Sequence, residues 1–424
     1  MDNLQSIKNR LMERIRLHQP QTRPISEIRI EAAVTAEMLS WLKAQQSYPQ
    51  FYFHCRDSHR QIAALGKVRS FLTPDLAQRF VRRLALPLLG GLKFYGEGEF
   101  FLPRLLLRQQ DNRLTVSLFI DNDKPLRQEC QAALRCLETF DKTTALCPVR
   151  QTIRLCAQKA TQTDWCQWVE RALEAIRGGE LRKSVLANET CFQTAHRLNA
   201  KDFLAESERR NLGCYHFLWA WDAERAFVGS PPERLYQREG TQLETEALAG
   251  TALMTDDAQF NRQQGQWLLQ DQKNIYENQL VADDIRHKLQ PYVRRLTVSE
   301  LGLKRLRQVQ HLRRRIVAEL HSGYGDDTCL RAIHPTAAVA GLPQQAALDF
   351  LRRTEGFNRD WYAGALGIME AARAEFCVAI RSAFIEGDKI RVFAGAGIVE
   401  GSVPLLEWQE IERKALGLVS LLQE

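Results

Sequence analysis

Ser230-Pro231-Pro232-Glu233 delivers a carboxylate on a turn made stiff by two prolines, each of which holds φ near −65°. Glu233 follows an apolar segment, Ala226 to Gly229, so it stands where a general acid could sit and equally where a solvated turn residue could. Upstream, the run Leu181 to Ala187 has strand alternation, which puts Lys183 on one face with Leu181, Val185 and Ala187. A lysine on an apolar face is unusual. Either its ammonium snorkels out at the strand end, or it is partly desolvated and able to act as a base. Glu277 lies one turn before Leu280 and Val281, beside the apolar stripe of a helix, as a rim ion pair or a buried ligand. Glu407, Glu410 and Lys414 share a face of the last helix, which suits a surface ion pair or a metal carboxylate. Arg381 shares a strand face with Cys377 and Ala379, small neighbours that leave room for a ligand carboxylate in its fork or for a cross-strand acid. Gly395-Ala396-Gly397 offers close backbone approach and open N–H groups for an anion.

Strands and helices must hold these groups together. Helical spacing predicts helices over residues 1–18, 75–86, 125–137, 164–176, 257–290 and 343–354, with another from about Pro404. Strands are expected at 50–54, 181–187, 212–221, 226–229 and 362–367, with hairpins joining 100–107 to 114–120 and 376–384 to 389–395. The first third carries no chemical motif and reads as scaffold, followed by a linker-like stretch, Asp141 to Pro148.

The chain has 424 residues, enough for one large domain or two ordinary ones. No apolar run is long enough to cross a bilayer, and the charged N-terminus lacks the apolar core of a secretory signal, so a cytoplasmic protein is expected. The 10 cysteines include no C-x-x-C pair and no zinc spacing. Cys136, Cys156, Cys214 and Cys377 sit in apolar segments and are expected to be buried and reduced. The net charge is +7, densest from Lys304 to Arg315 around His311. Without interleaved aromatics or a recognition-helix pattern, this basic run suits a small anionic substrate better than nucleic acid.

In order along residues 155–422, the motifs resemble those of the chorismate-utilising enzymes: the Lys183 strand, S-P-P-E-R-L, T-E-A-L-A-G-T, Y-E-N, V-Q-H-L-R-R, H-P-T-A-A-V-A-G-L-P, W-Y-A-G, the Arg381 strand, A-G-A-G-I-V and E-W-Q-E-I-E-R-K. The N-terminal run S-W-L-K-A-Q-Q-S-Y-P-Q-F-Y is similar to the branch of that family that makes isochorismate for menaquinone. The resemblance implies an α+β fold of large antiparallel β-sheets packed as a sandwich with helices outside. Residues 1–150 would form a scaffold part of the same unit, and 155–424 the chorismate-binding region. It also implies residue roles: Lys183 as general base activating a water, Glu233 as general acid, Glu277 and Glu410 as ligands of Mg²⁺ with Glu407 nearby. Gly250, Thr251, His311, Ala338, Tyr362, Arg381, Gly395 and Lys414 would surround the substrate.

Two positions depart from the family pattern. Pro231 replaces the second serine of the usual Gly-Ser-Ser-Pro-Glu, and Asn274 stands where several relatives carry an acid. Ala249 stands where aminodeoxychorismate synthases carry a nucleophilic lysine, and Ala338 where salicylate and anthranilate synthases carry threonine. Lys183 is absent from ammonia users, so no glutamine amidotransferase partner is expected. The expected activity is Mg²⁺-dependent isomerisation of chorismate to isochorismate, with a salicylate synthase or a siderophore-pathway isochorismate synthase as alternatives. A binding protein on a degenerate copy of the fold would lack one of Lys183, Glu233, Glu277 and Glu410, and all four are present.

Overall fold

The β-branched and aromatic runs pair into two large sheets. In the computed structural model, which describes residues 3–423, one sheet has 12 strands and the other 10, and neighbours run antiparallel. Their inner faces build one continuous apolar core, as in a sandwich, with helices against the outer surfaces. Strands of the N-terminal third enter both sheets: Gln50–His54 pairs with His216–Ala220, and Leu88–Leu92 pairs with Ala365–Met369. Among the described residues no helix is long and apolar enough to cross a membrane.

Most expected elements form near the expected bounds, although the strand expected over 181–187 is Lys183–Thr194, and the helix expected over 1–18 is Leu4–Arg16, with residues 1 and 2 outside the described ones. Three expected elements divide. The apolar run 100–107 is two strands, Gly98–Leu102 and Leu105–Gln110, which belong to different sheets and are separated at Pro103-Arg104. The run 376–384 likewise divides into Arg373–Val378 and Ser382–Glu386, again in different sheets. The helix expected over 257–290 is two, Ala258–Leu268 and Gln272–Leu289, because the Asp271 side chain accepts from Asn274 N at 3.0 Å and caps a new start. All ten cysteines are free; Cys136, Cys214 and Cys377 are buried, whereas Cys156 is exposed on the Ile153–Gln158 strand.

The places where the chain passes between sheets set up the site. Ser230 to Glu233 carries it from the Arg225–Gly229 strand of the larger sheet to the Arg234–Glu239 strand of the smaller. Ala379 to Arg381 carries it back. The two passages lie side by side: Ser230 N donates to Arg381 O at 3.0 Å, and Val378 N donates to Glu233 O at 3.1 Å.

Candidate active site

Eleven of the twelve expected site residues line one pocket of about 100 Å³: Glu233, Gly250, Thr251, Glu277, His311, Ala338, Tyr362, Arg381, Gly395, Glu410 and Lys414. The twelfth, Lys183, stands directly behind the wall, with Nζ 3.1 Å from Glu277 Oε1. A wider cleft of about 360 Å³ shares Thr251, Arg381, Glu410 and Lys414 and is edged by the exposed Leu212, Leu253 and Leu416.

Glu233 is 3% exposed. Burial, reinforced by the negative charge of Glu246, pushes its carboxyl up to about 8, although Lys183, Arg56 and Lys414 pull the other way. The solvated turn residue is therefore excluded, and Glu233 carries its proton at neutral pH. Lys183 opens the Lys183–Thr194 strand, which pairs with Gly341–Leu342 on one side and Lys389–Ile398 on the other. Its side chain is wholly buried, so it does not snorkel, and Nζ has no aligned hydrogen-bond partner. The glycine pattern opposite explains the fit: a Cβ at Gly397 would fall 3.0 Å from Lys183 Cε and 2.1 Å from Glu277 Oε1.

Arg381 is not on a regular strand, so the strand face expected to be shared with Cys377 and Ala379 does not form. It occupies the passage between sheets with φ 51°, in the left-handed region. Among the described residues it makes no ion pair, which removes the cross-strand acid as its partner. Its Nη2 lies 3.3 Å from His311 Nε2, and Thr251 Oγ1 lies 3.0 Å from Nδ1 of the same ring. A guanidinium only donates, so Nε2 accepts and the ring proton sits on Nδ1. Burial, with Arg381 and Lys414 close by, holds His311 well below the ordinary imidazole range, in its neutral form. Thr251 reaches His311 because the strand pairing shifts register between Leu248 and Thr251, where Gly250 adopts φ 86°. Tyr362 stacks on Phe393 at 4.8 Å, and burial raises its hydroxyl to about 12. Lys414 Nζ donates to Gly395 O at 2.8 Å and pairs with Glu410 at 2.7 Å.

Three carboxylates face the same pocket: Glu277, Glu407 and Glu410. Burial and the charge of Glu410 raise Glu407, against the pull of Lys273 at 2.7 Å. Burial also works to raise Glu410, but Lys414, helped by Lys273 and Arg413, brings the carboxyl below its ordinary value.

The family model of the chorismate binding enzymes matches residues 92–423. The chain belongs to this family. This chorismate-binding enzyme is 57% identical over 429 aligned residues to isochorismate synthase MenF of Pasteurella multocida, covering 100% of this chain and 99% of that one. It is 52% identical to isochorismate synthase MenF of Haemophilus influenzae over 92% of this chain and 90% of the other. The solved structure of MenF, the menaquinone-specific isochorismate synthase from Escherichia coli, matches it with a TM-score of 0.93 at 41% identity over 100% of both chains.

In this chorismate-binding enzyme the acidic side of the pocket suits a hard cation. Its donors are all carboxylate oxygens, and like-charge crowding is visible in the raised Glu407. Among the described residues no three acidic, imidazole or thiol groups converge into a closed cage. A small divalent ion that takes one or two protein carboxylates, and completes its shell with substrate and water, needs no such cage.

Sequence spacing missed several groups that build the site. Lys273 sits four residues before Glu277 on the same helix, a spacing that could have placed it on the pocket face. Asn278 is fully buried; its amide donates to Ala247 O, Ala249 O and Leu312 O at 3.0–3.1 Å and locks the Glu277 helix onto the Gly250 strand. The basic run 304–315 is largely used within the fold: Arg314 donates to Asn278 at 2.6 Å, and Arg315 pairs with Glu244 at 3.0 Å. Lys304 is driven down to about 8 by burial and by Arg56, with Glu246, Cys214 and Asp57 pulling the other way.

Proposed function

We propose that this chain isomerises chorismate to isochorismate on the route to menaquinone, the activity stated in the names of its relatives. The observation that carries this reading is a buried carboxyl, Glu233, which keeps its proton at neutral pH and lines a narrow pocket behind whose wall the buried Lys183 meets Glu277. Adding water at C2 of chorismate while losing the C4 hydroxyl needs a base and an acid at separate points of one ring. In this reading Lys183 accepts a proton from water as the oxygen bonds to C2, the ring double bond shifts, and Glu233 gives its proton to the departing C4 hydroxyl. One water enters and one leaves, so no redox partner and no ammonia are consumed, and no amidotransferase is called for. Each proton transfer of this kind contributes about 10²–10⁴-fold.

Arg381 and Lys414 present cationic donors to the substrate carboxylates, while neutral His311 and Thr251 border the ring, and Ala338 leaves space beside it. Enzymes of this family are metal-dependent. We read the ion as Mg²⁺, held by Glu277 and Glu410, with Glu407 close by. When bound, it would neutralise the ring carboxylate. Residues 155–424 form the chorismate-binding region in this reading, and residues 1–150 the scaffold built into the same unit. Ten free cysteines fit a reducing, cytoplasmic setting.

The test is purified protein with chorismate, in Mg²⁺ and in EDTA, with products separated by chromatography. Isochorismate approaching equilibrium with chorismate only in Mg²⁺ is expected. Salicylate with pyruvate would overturn the isomerase reading.

A further inference from the structure

Arg56 and Glu246 lie outside the pocket lining, yet both grip the backbone that carries Glu233. Arg56 follows the Gln50–His54 strand of the N-terminal third, and its side chain is 2% exposed. Its Nη1 donates to Pro232 O at 2.6 Å. The same guanidinium holds Glu246 with two bonds, Nη1 to Oε1 at 2.6 Å and Nη2 to Oε2 at 3.2 Å. Glu246 Oε1 in turn accepts from Arg234 N at 3.0 Å. The peptide groups on both sides of Glu233 are thus tied to one buried, bidentate ion pair.

Because bidentate pairing fixes direction as well as distance, we infer that the Arg56–Glu246 pair is a positioning clamp for the general acid, through which the N-terminal third takes part in the reaction. This rests on the reading of Glu233 as that acid. The clamp also shapes the field at Glu233. The charged and titratable groups around it are Glu246 on the Gln242–Leu253 strand, Lys183, Arg56, Lys414 on the last helix and the Cys377 thiol. Glu246 is the only one of the charged four that favours the protonated acid, so the clamp both aims the proton and helps to keep it in place.

Removing one partner leaves a buried charge and endangers folding, whereas removing both leaves none. The test therefore compares Arg56→Met/Glu246→Leu, Glu246→Gln and Glu233→Gln with the full-length protein. A misplaced acid lowers rate more than binding, since shifts near 1 Å can lower rates about 100-fold. The double variant, which leaves Pro232 O and Arg234 N without these partners, is expected to fold with a lowered melting temperature, to lose at least about tenfold in kcat and to change KM little. In Glu246→Gln, the infrared band of the protonated carboxyl, assigned by its absence in Glu233→Gln, is expected to titrate about one pH unit lower or more. A purely structural pair would leave the kcat-to-KM split unmoved, whereas the titration reads the charge of Glu246 at Glu233. Wild-type kcat in a folded double variant, with Glu233→Gln inactive, would overturn the clamp alone. Full activity in Glu233→Gln would remove the acid, and the clamp with it.

Discussion

Gly397→Ala tests whether Lys183 and Glu277 work from their observed positions. Gly397 pairs with Val185 across the Lys183 strand, and its missing side chain is the space in which the two functional groups meet. An added Cβ would lie 2.1 Å from Glu277 Oε1, and ordinary contact begins near 3.4 Å, so the carboxylate must retreat by more than an ångström. The same methyl would press on Lys183 Cε at 3.0 Å. Since a displacement of about 1 Å can lower a rate about 100-fold, and both groups are affected, kcat should fall at least that far. Mg²⁺ affinity should weaken by about tenfold or more, because the carboxylate proposed to hold the ion has been turned away. The clash falls on side-chain ends rather than backbone, so the melting temperature should stay near wild type. Steady-state kinetics, calorimetric titration with Mg²⁺ and a thermal melt read the three effects separately. Gly302→Ala is the control, because its Cβ would come no closer than 3.9 Å to Arg313 O. A Gly397→Ala protein with wild-type kcat and Mg²⁺ affinity would refute the placement of both groups.

Glu233→Gln should lose about 10²–10⁴-fold in turnover. It should also gain stability at alkaline pH. The folded carboxyl lies at about 8 against an ordinary 4.5, so the unfolded chain ionises first and wild type loses stability as pH rises between those values. Urea melts at pH 8.5 should favour the variant by a few kcal/mol, at about 1.4 per pH unit, and melts at pH 4 should show no gain. Arg381→Lys keeps the charge but loses the fork, so KM for chorismate should rise about 10–100-fold with little change in melting temperature. Glu410→Gln should weaken Mg²⁺ binding about tenfold or more by calorimetry; unchanged affinity would dismiss it as a ligand.

Local pattern could name the chemical groups but not where the chain changes sheets. Alternation says which side chains share a face only while one sheet continues. Through 100–107 and 376–384 the apolar run is interrupted only by Pro103-Arg104 and by Arg381-Ser382, and each run serves two sheets. At Ser230 to Glu233 the prolines announce the passage; at Arg381 nothing local does, because the residue adopts a left-handed conformation without glycine. The helix break before Gln272 did carry a signal, an aspartate three residues ahead of Asn274, that amphipathic spacing overrode. Arg56 had no local signal at all, since its partners Pro232 and Glu246 lie 176 and 190 residues away. These misses share a physical origin. The interior faces of a sandwich are apolar and filled, so a charged group on a regular strand is matched by a buried partner, as Glu246 is by Arg56, while Glu233 and Arg381 sit where the backbone leaves the sheet. Glu233 and Arg381 stand at two such departures joined to each other by backbone hydrogen bonds, and Lys183 stands at a strand's first residue. Period-two reading thus found Lys183 on its buried face but failed at Arg381, where the chain changes sheets.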